Sequence, residues 1–319
     1  MEGKIPQILK NKIKKDFSLK EISFAKIGGI AKYFVEISQK KELLSCLRWA
    51  KKNNLEIIII GNASNILFSD GYFKGIIIKI KNHRFILKKK HLLVSAGFLI
   101  NDFLKKCMKY QIKDYEWLAG IPGTIGGAVY GNAGAYSREI GEKVIKVKTI
   151  DISSLKEKIY YQKDCRFDYR NSIFKNKQEV IWEIFLKKEK GNLKEIQEKI
   201  KSYLKERVEK KNYLYPSLGC IFKNIPLSKI KNNILKEIIK KFNPPIKGGK
   251  ISAGWLIEKA NIKKRKIGGA MIAPFHHNII VNYQKATFND FLKLINIIKK
   301  KVFEKFKILL EEEIIIKNF

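Results

Sequence analysis

The chain has 319 residues, 45% hydrophobic and 11% aromatic, which excludes a disordered polymer and leaves room for two or three modules. No run of about 18 uncharged apolar residues occurs, and the N-terminal "MEGKIPQILKNKIKKD" has no apolar core, so neither a membrane-spanning helix nor a signal peptide is expected. The charge of +36 would suit a nucleic-acid binder, yet lysines such as Lys88 to Lys90, Lys187 and Lys188, and Lys299 to Lys301 dot the whole chain beside apolar runs, as solvated faces do.

The first twenty residues read as a lysine-rich leading segment, helical and frayed. "KKELLSCLRWAKKNN" places apolar residues at 43, 44, 47, 49 and 50, a helical spacing. "LEIIIIG" follows as a buried strand, with "GIIIKI" and "HLLVSAG" as further strands. "INDFLKKCMKYQI" predicts a helix with Asn101 or Asp102 near its cap. A glycine-dense region, 120 to 141, precedes the strand-like "KVIKVKTIDI" and "VIWEIFLKKE". "NLKEIQEKIKSYLKERVEKKN" is a long charged amphipathic helix that leads into a new module near residue 208. Beyond it come "ISAGWLIEKANI" (helix), "HHNIIVNY" (strand), "ATFNDFLKLINIIKKKVFEKF" (helix) and "KILLEEEIII" (strand). This irregular order predicts an α+β fold rather than a doubly wound sheet. Four cysteines without C-x-x-C spacing argue against a zinc cluster or a disulfide framework and suit reduced thiols in a cytoplasmic protein. His276 and His277 would point to opposite faces of a strand, so no metal is expected there.

Two glycine-rich loops carry the first functional signal. In "IIIIGNASNILFSDGYFKG" an apolar strand runs into Gly61-Asn62-Ala63-Ser64-Asn65, where small residues permit close backbone approach and Ser64 and Asn65 add donors. In "EWLAGIPGTIGGAVYGNAGAY" Pro122 stiffens a turn before Gly123-Thr124, whose amides suit a phosphate. Neither is a G-x-G-x-x-G or a P-loop. Either loop alone is equally a tight turn between packed strands; the pair points to a nucleotide-type cofactor held by backbone donors rather than by a helix dipole.

With both loops in view, the sequence resembles the UDP-N-acetylenolpyruvoylglucosamine reductase family. "GNASNIL", residues 120 to 136, "YRNSIF" from Tyr169 to Phe174, "GCIFKNIP", "ISAGWLIEKA", "HHNIIVN" and "LEEEI" match its marks in order from about residue 21 to 315. The resemblance implies an FAD-binding domain of the vanillyl-alcohol-oxidase (PCMH) type over 21–207, in two subdomains split near 80, after a basic leading segment at 1–20. It implies a C-terminal α+β substrate-binding domain over 208–319 whose last strand, 309–316, returns to the active site. It implies bound FAD, NADPH as co-substrate and a UDP-sugar substrate, in a cytoplasmic monomer with no specific nucleic acid and no membrane. The short interval from 175 to 215 places the chain in the shorter, type II branch.

The flavin contacts carried over are Gly61, Asn62, Ala63, Ser64 and Asn65, then Gly120, Ile121, Pro122, Gly123, Thr124, Gly127, Ala128, Asn132, Ala133 and Gly134. Asn62 and Ala63 stand where relatives carry glycines, and alanine is costly at positive φ. "NIKKRKIGGA" replaces a glycine-bearing turn with lysines.

Reducing an enolpyruvyl ether needs a hydride at the methylene carbon, a proton at its neighbour, and a cation for the charge that builds on the carboxylate. By the resemblance Arg170 is that cation, its planar fork suited to a carboxylate, and Glu313 is its acidic partner. Cys220 fills a position where many relatives have serine and is the expected proton donor, a thiol having a reference pKa of about 8.5. Tyr169, Lys223 and Asn224 are expected to orient substrate. From the residues alone Arg170 in a structural ion pair, a solvated "EEE" edge and a buried hydrophobic Cys220 stay open. Cys46, Cys107 and Cys165 read as buried small hydrophobes. Another FAD oxidoreductase of the same fold, or a basic nucleic-acid-binding protein, are the alternative functions.

Overall fold

A computed structural model of the chain describes residues 3–209, 214–262 and 265–319. It opens with β1 (Lys14–Ser18), β2 (Ile30–Ile37), α1 (Lys40–Lys52), β3 (Ile57–Ile60), β4 (Ile66–Phe68) and β5 (Tyr72–Ile80). Next are β6 (Phe85–Leu87), β7 (His91–Ser95), α2 (Ile100–Lys109), α3 (Ile125–Gly131), β8 (Gly134–Ala135) and β9 (Arg138–Glu139). Then come β10 (Val144–Asp151), β11 (Glu157–Tyr161), β12 (Glu179–Lys187), α4 (Leu193–Glu209), β13 (Ser217–Cys220), β14 (Ile225–Pro226) and α5 (Asn232–Phe242). The rest is β15 (Ile246–Lys247), β16 (Lys250–Ile251), α6 (Ala253–Lys259), β17 (Lys266–Ile267), β18 (Ala270–Ile272), β19 (Ile279–Asn282), α7 (Phe288–Phe306) and β20 (Ile315–Lys317). The chain divides into two compact units: Met1–Phe17 with Ala31–Ala63 and Tyr72–Arg207, and Ser18–Ile30 with Ser64–Gly71 and Val208–Phe319.

The first unit holds a four-stranded sheet, β1-β2-β5-β3, and a five-stranded antiparallel sheet, β11-β10-β12-β7-β6. β3 runs parallel to β5, from Ile57 opposite Ile76 to Ile60 opposite Lys79. The isoleucine run is buried alternately: Ile58 and Ile60 enter the core while Ile57 and Ile59 are half-buried, as a pleated strand requires. α1 forms where its spacing predicts, burying Leu43, Cys46, Leu47 and Ala50 on one stripe. Glu42 starts it: the Ser38 and Gln39 amides both donate to its carboxylate at 3.1 Å, and the Lys12 ammonium lies at 2.5 Å.

The leading segment is not a frayed helix. It holds one 3₁₀ turn, Gln7–Leu9, and the strand β1, and Trp49 Nε1 donates to Gly3 O at 3.0 Å. Leu9 is fully buried and Phe17 stacks on Phe34 at 4.1 Å, so apolar contacts outweigh the lysines around them. Asn101 and Asp102 stand near the cap of α2, as the sequence predicts. The N-cap is Leu99, bridged to Thr124, and the two polar residues lie within the first turn.

The second unit is built on the antiparallel sheet β13-β19-β18-β17, the small sheet β14-β16-β15, and the parallel pair β4 and β20. α7 buries Phe288, Phe291, Leu294, Ile298, Val302 and Phe306. Thr287 and Asp290 cap it reciprocally, and Phe288 N donates to Asp70 Oδ2 at 2.7 Å. "KILLEEEIII" gives only the three-residue β20, preceded by an isolated antiparallel bridge of Glu312 to Phe222 and by Ile308, Leu310 and Ile314 buried in the core of this unit. His276 and His277 precede β19 in a turn, so the strand argument about them does not apply; His277 Nδ1 lies 3.8 Å from Glu258 Oε2. Among the described residues no helix is long and apolar enough to cross a membrane.

Candidate functional site

Within the first unit the two glycine-rich loops touch. A Cβ on Gly61, at the end of β3, would lie 2.6 Å from Thr124 Oγ1. Thr124 is the N-cap of α3, its hydroxyl accepting from Gly127 N at 3.1 Å. The second loop is therefore more than turn, since seven of its residues are helical despite Gly126, Gly127 and Gly131. The first amides of α3 have protein acceptors: Ile125 N donates to Phe98 O at 2.9 Å and Gly126 N to Ala96 O at 2.8 Å. Among the described residues the amides of Asn62, Ala63, Gly123 and Thr124 have none. Ala63, 3% exposed, takes φ 51, a left-handed conformation that glycine would adopt without strain. Gly120 at φ 74 and Gly123 at φ 141 also turn the backbone, flanking half-buried Ile121 and exposed Pro122. This donor set, two pairs of adjacent amides among small residues, suits an anionic dinucleotide such as FAD.

Past α3 the loop changes character. Asn132 is 1% exposed and left-handed at φ 44, and its side chain is committed to the protein. Its Nδ2 donates to Glu139 Oε2 at 2.6 Å and to Asp168 O at 2.8 Å, while its Oδ1 accepts from Gly141 N at 3.0 Å. Asp168 and Asn171 exchange backbone hydrogen bonds of 3.1 and 2.9 Å, closing a two-residue turn with Tyr169 and Arg170 at its tip. Arg170 has φ 54, which costs a side-chain-bearing residue about 1–2 kcal/mol. Its Nη2 donates to Gly134 O at 2.7 Å, Lys175 Nζ donates to its carbonyl at 2.7 Å, and its guanidinium lies 5.1 Å from the Tyr169 ring. Backbone strain of this kind persists where surroundings over-determine the conformation, as at ligand clamps.

In the second unit Cys220 ends β13, half-buried, opposite Ile279 of β19. Leu218 and Gly219 of β13 oppose the single Ile280 of β19, a bulge with Gly219 at φ 75 that bends the strand and re-aims the residues after it. Asn278, 3% exposed, clamps the next residues: Phe222 N donates to its Oδ1 at 2.9 Å and its Nδ2 donates to Phe222 O at 2.8 Å. Glu313 N donates to Ile221 O at 2.7 Å, so its backbone meets the chain one residue beyond Cys220. The three glutamates separate by partner. Glu311 binds Lys229 and Lys223 at 2.8 and 3.3 Å, and Glu312 binds Lys299 at 2.9 Å. The Lys229 ammonium, against opposing burial, and then Lys223 hold the Glu311 carboxyl below its ordinary value. Asn65 Nδ2 donates to Glu313 O at 3.1 Å and Asn65 O accepts from Ile315 N at 2.9 Å, placing the end of the first loop beside this segment. Asn224 Oδ1 accepts from Ala253 N, the first amide of α6, at 3.1 Å. Cys46, Cys107 and Cys165 are buried, and burial pushes Cys46 and Cys165 up to about 12.

Lys175, Glu139 and Asn278 were not among the expected site residues. Lys175 directly follows "YRNSIF" and Asn278 lies inside "HHNIIVN", but a lysine or asparagine in a lysine- and asparagine-rich chain gives no local signal.

Residues 31–153 match the family model for an FAD binding domain. With the paired loops, that defines a flavin-binding α+β protein. Residues 209–317 match the model for the C-terminal domain of UDP-N-acetylenolpyruvoylglucosamine reductase. The reductase of that name from Caldicellulosiruptor bescii is 36% identical over 94% of this chain and 89% of its own. That from Staphylococcus aureus is 30% identical over 97% of this chain and 94% of its own. The crystal structure of the Thermus caldophilus enzyme superposes with a TM-score of 0.75 at 25% identity, covering 96% of this chain and 99% of that one. The chain belongs to the UDP-N-acetylenolpyruvoylglucosamine reductase family.

Proposed function

We propose that this chain reduces the enolpyruvyl ether of UDP-N-acetylglucosamine enolpyruvate to UDP-N-acetylmuramate, with NADPH as reductant and FAD as bound cofactor, in the synthesis of peptidoglycan precursors. The observation that carries the reading is family membership over nearly the whole chain, flavin-binding and C-terminal parts alike. Gly61 to Asn65 and Gly120 to Thr124 would hold the cofactor, with the amides of Asn62, Ala63, Gly123 and Thr124 on its anionic part. Bound FAD would relay a hydride from NADPH to the substrate's methylene carbon. Gly127, Ala128, Ala133 and Gly134 line the same loop without bulk; Asn132 serves by bonding the protein.

As the methylene becomes a methyl group, negative charge moves onto the neighbouring carbon and its carboxylate. Arg170 meets that carboxylate with a planar, permanently charged fork, already oriented by Gly134 O and Lys175. Such preset charge is worth more than one that must reorient. Cys220 Sγ–H gives its proton to the carbon, the S–H bond breaking as the C–H bond forms, and the thiolate regains a proton from solvent. The bulge in β13 and the Asn278 clamp on Phe222, which restrain the backbone on either side of the thiol, support this reading. Glu313 completes the carboxylate's surroundings, and Tyr169, Lys223 and Asn224 orient the sugar nucleotide. The lysines have no assigned role beyond steering an anionic substrate, and the enzyme acts as a cytoplasmic monomer without specific nucleic acid.

The test is anaerobic spectroscopy of the FAD-loaded protein. Visible bands that bleach on NADPH and return on the enolpyruvyl ether support the reading. Bands that bleach and stay bleached overturn it.

A further inference from the structure

We infer that Asn132 is a positioning residue for Arg170, an assignment that rests on the proposed reduction and separates residues 132–134 from the cofactor-holding part of the same loop. Arg170 has no regular element to hold it; it sits at the tip of a two-residue turn in a strained conformation. The stretch Asn132-Ala133-Gly134 grips that turn at both ends. Asn132 Nδ2 donates to Asp168 O at its base, at 2.8 Å, and Gly134 O accepts from Arg170 Nη2 at its head, at 2.7 Å. Asn132 can act this way because all its polar capacity is directed inward. Its second amide hydrogen is fixed by Glu139 Oε2 at 2.6 Å and its carbonyl by Gly141 N at 3.0 Å, so the amide cannot flip or rotate without breaking a bond. At 1% exposure no solvent replaces a lost partner. Asparagine is also one of the few residues that tolerates its φ of 44 while carrying two donors. A displacement of the guanidinium of about 1 Å is enough to cost roughly 10²-fold in rate.

The experiment is stopped-flow on the FAD-loaded enzyme, with the two half-reactions read separately. Asn132→Asp keeps the acceptor for Gly141 and loses both donors; Asn132→Gly keeps the backbone conformation and loses all three bonds. Both variants are expected to take up FAD and to bleach with NADPH within about twofold of the unaltered rate, while recovery with the enolpyruvyl ether slows by roughly 10²-fold. Melting temperature of the apo-protein checks that the fold survives. Combined with Arg170→Ala, Asn132→Asp is expected to add nothing, because the residue acts through the arginine. Equal slowing of both half-reactions, loss of FAD uptake, or losses that add to those of Arg170→Ala overturn the inference. If the unaltered enzyme bleaches but is not reoxidised by the enolpyruvyl ether, the underlying reaction is wrong and the role falls with it.

Discussion

The contact between Gly61 and Thr124 permits a quantitative test of how the cofactor loops are joined. In Gly61→Ala the new methyl would sit 2.6 Å from Thr124 Oγ1, a distance real Cβ atoms do not show, while Thr124 Cβ and Cγ2 stay at an ordinary 3.6 Å. Thr124 can rotate away only by giving up its bond to Gly127 N, which caps α3. Losing the cap costs about 1 kcal/mol, and overpacking without rotation costs about 1–3 kcal/mol. The single substitution should therefore cost roughly 1–3 kcal/mol, and Thr124→Ala about 1 kcal/mol for the cap alone. In the double variant the hydroxyl is gone and the methyl meets only ordinary contacts, so the total should approach that of Thr124→Ala by itself. A coupling of about 1–3 kcal/mol is expected, read as several degrees in melting temperature, with FAD affinity recovering in the same direction. FAD titration and thermal melting of the apo-protein for all four members of the cycle measure it. Simple additivity would refute the contact.

Gly219→Ala has no steric neighbour within 4 Å but must hold φ 75, so backbone strain of about 1–2 kcal/mol should displace Cys220. Turnover should fall while FAD uptake is unchanged. Ala63→Gly relieves strain at φ 51 of about 1–2 kcal/mol but loses a buried methyl worth about 0.8 kcal/mol and adds unfolded-chain entropy. Melting should shift by only a degree or two, whereas a drop of several degrees would show that the left-handed conformation is not strained. Burial pushes the Glu42 carboxyl up, but the Lys12 ammonium and the Ser38 and Gln39 amides outweigh it, so its folded pKa lies below the ordinary 4.5. Its stabilisation is then fully present above pH 4.5 and lost as pH falls through the lower folded value. Acid titration should show Glu42→Gln losing less stability than the unaltered protein over that window.

Regular elements with their own apolar stripe were legible in the sequence. α1 and α7 form where the spacing of Leu43, Leu47 and Ala50, and of Phe291, Leu294 and Ile298, predicts them. α3 was not, because Gly126, Gly127 and Gly131 are poor helix formers; its order comes from the Thr124 cap and from Phe98 and Ala96 carbonyls some thirty residues away in sequence, which no local pattern encodes. The leading segment and the stretch before β20 misled for the same reason: isolated apolar residues such as Leu9 and Leu310 are buried in both, and neither has a period. At the site, residue types and loop positions could be read, but not that one loop does two things. The amides of Gly123 and Thr124 face no protein acceptor among the described residues, while Asn132 is wholly committed to protein partners, and only the hydrogen bonds separate them.

The most direct measurement is the visible spectrum of the FAD-loaded protein and its Cys220→Ala variant, taken anaerobically with NADPH and then with UDP-N-acetylglucosamine enolpyruvate. Flavin bands should bleach with NADPH in both and recover with substrate only where the thiol is present. A colourless protein that takes up no FAD, or a variant that recovers as fast as the unaltered enzyme, would contradict the account.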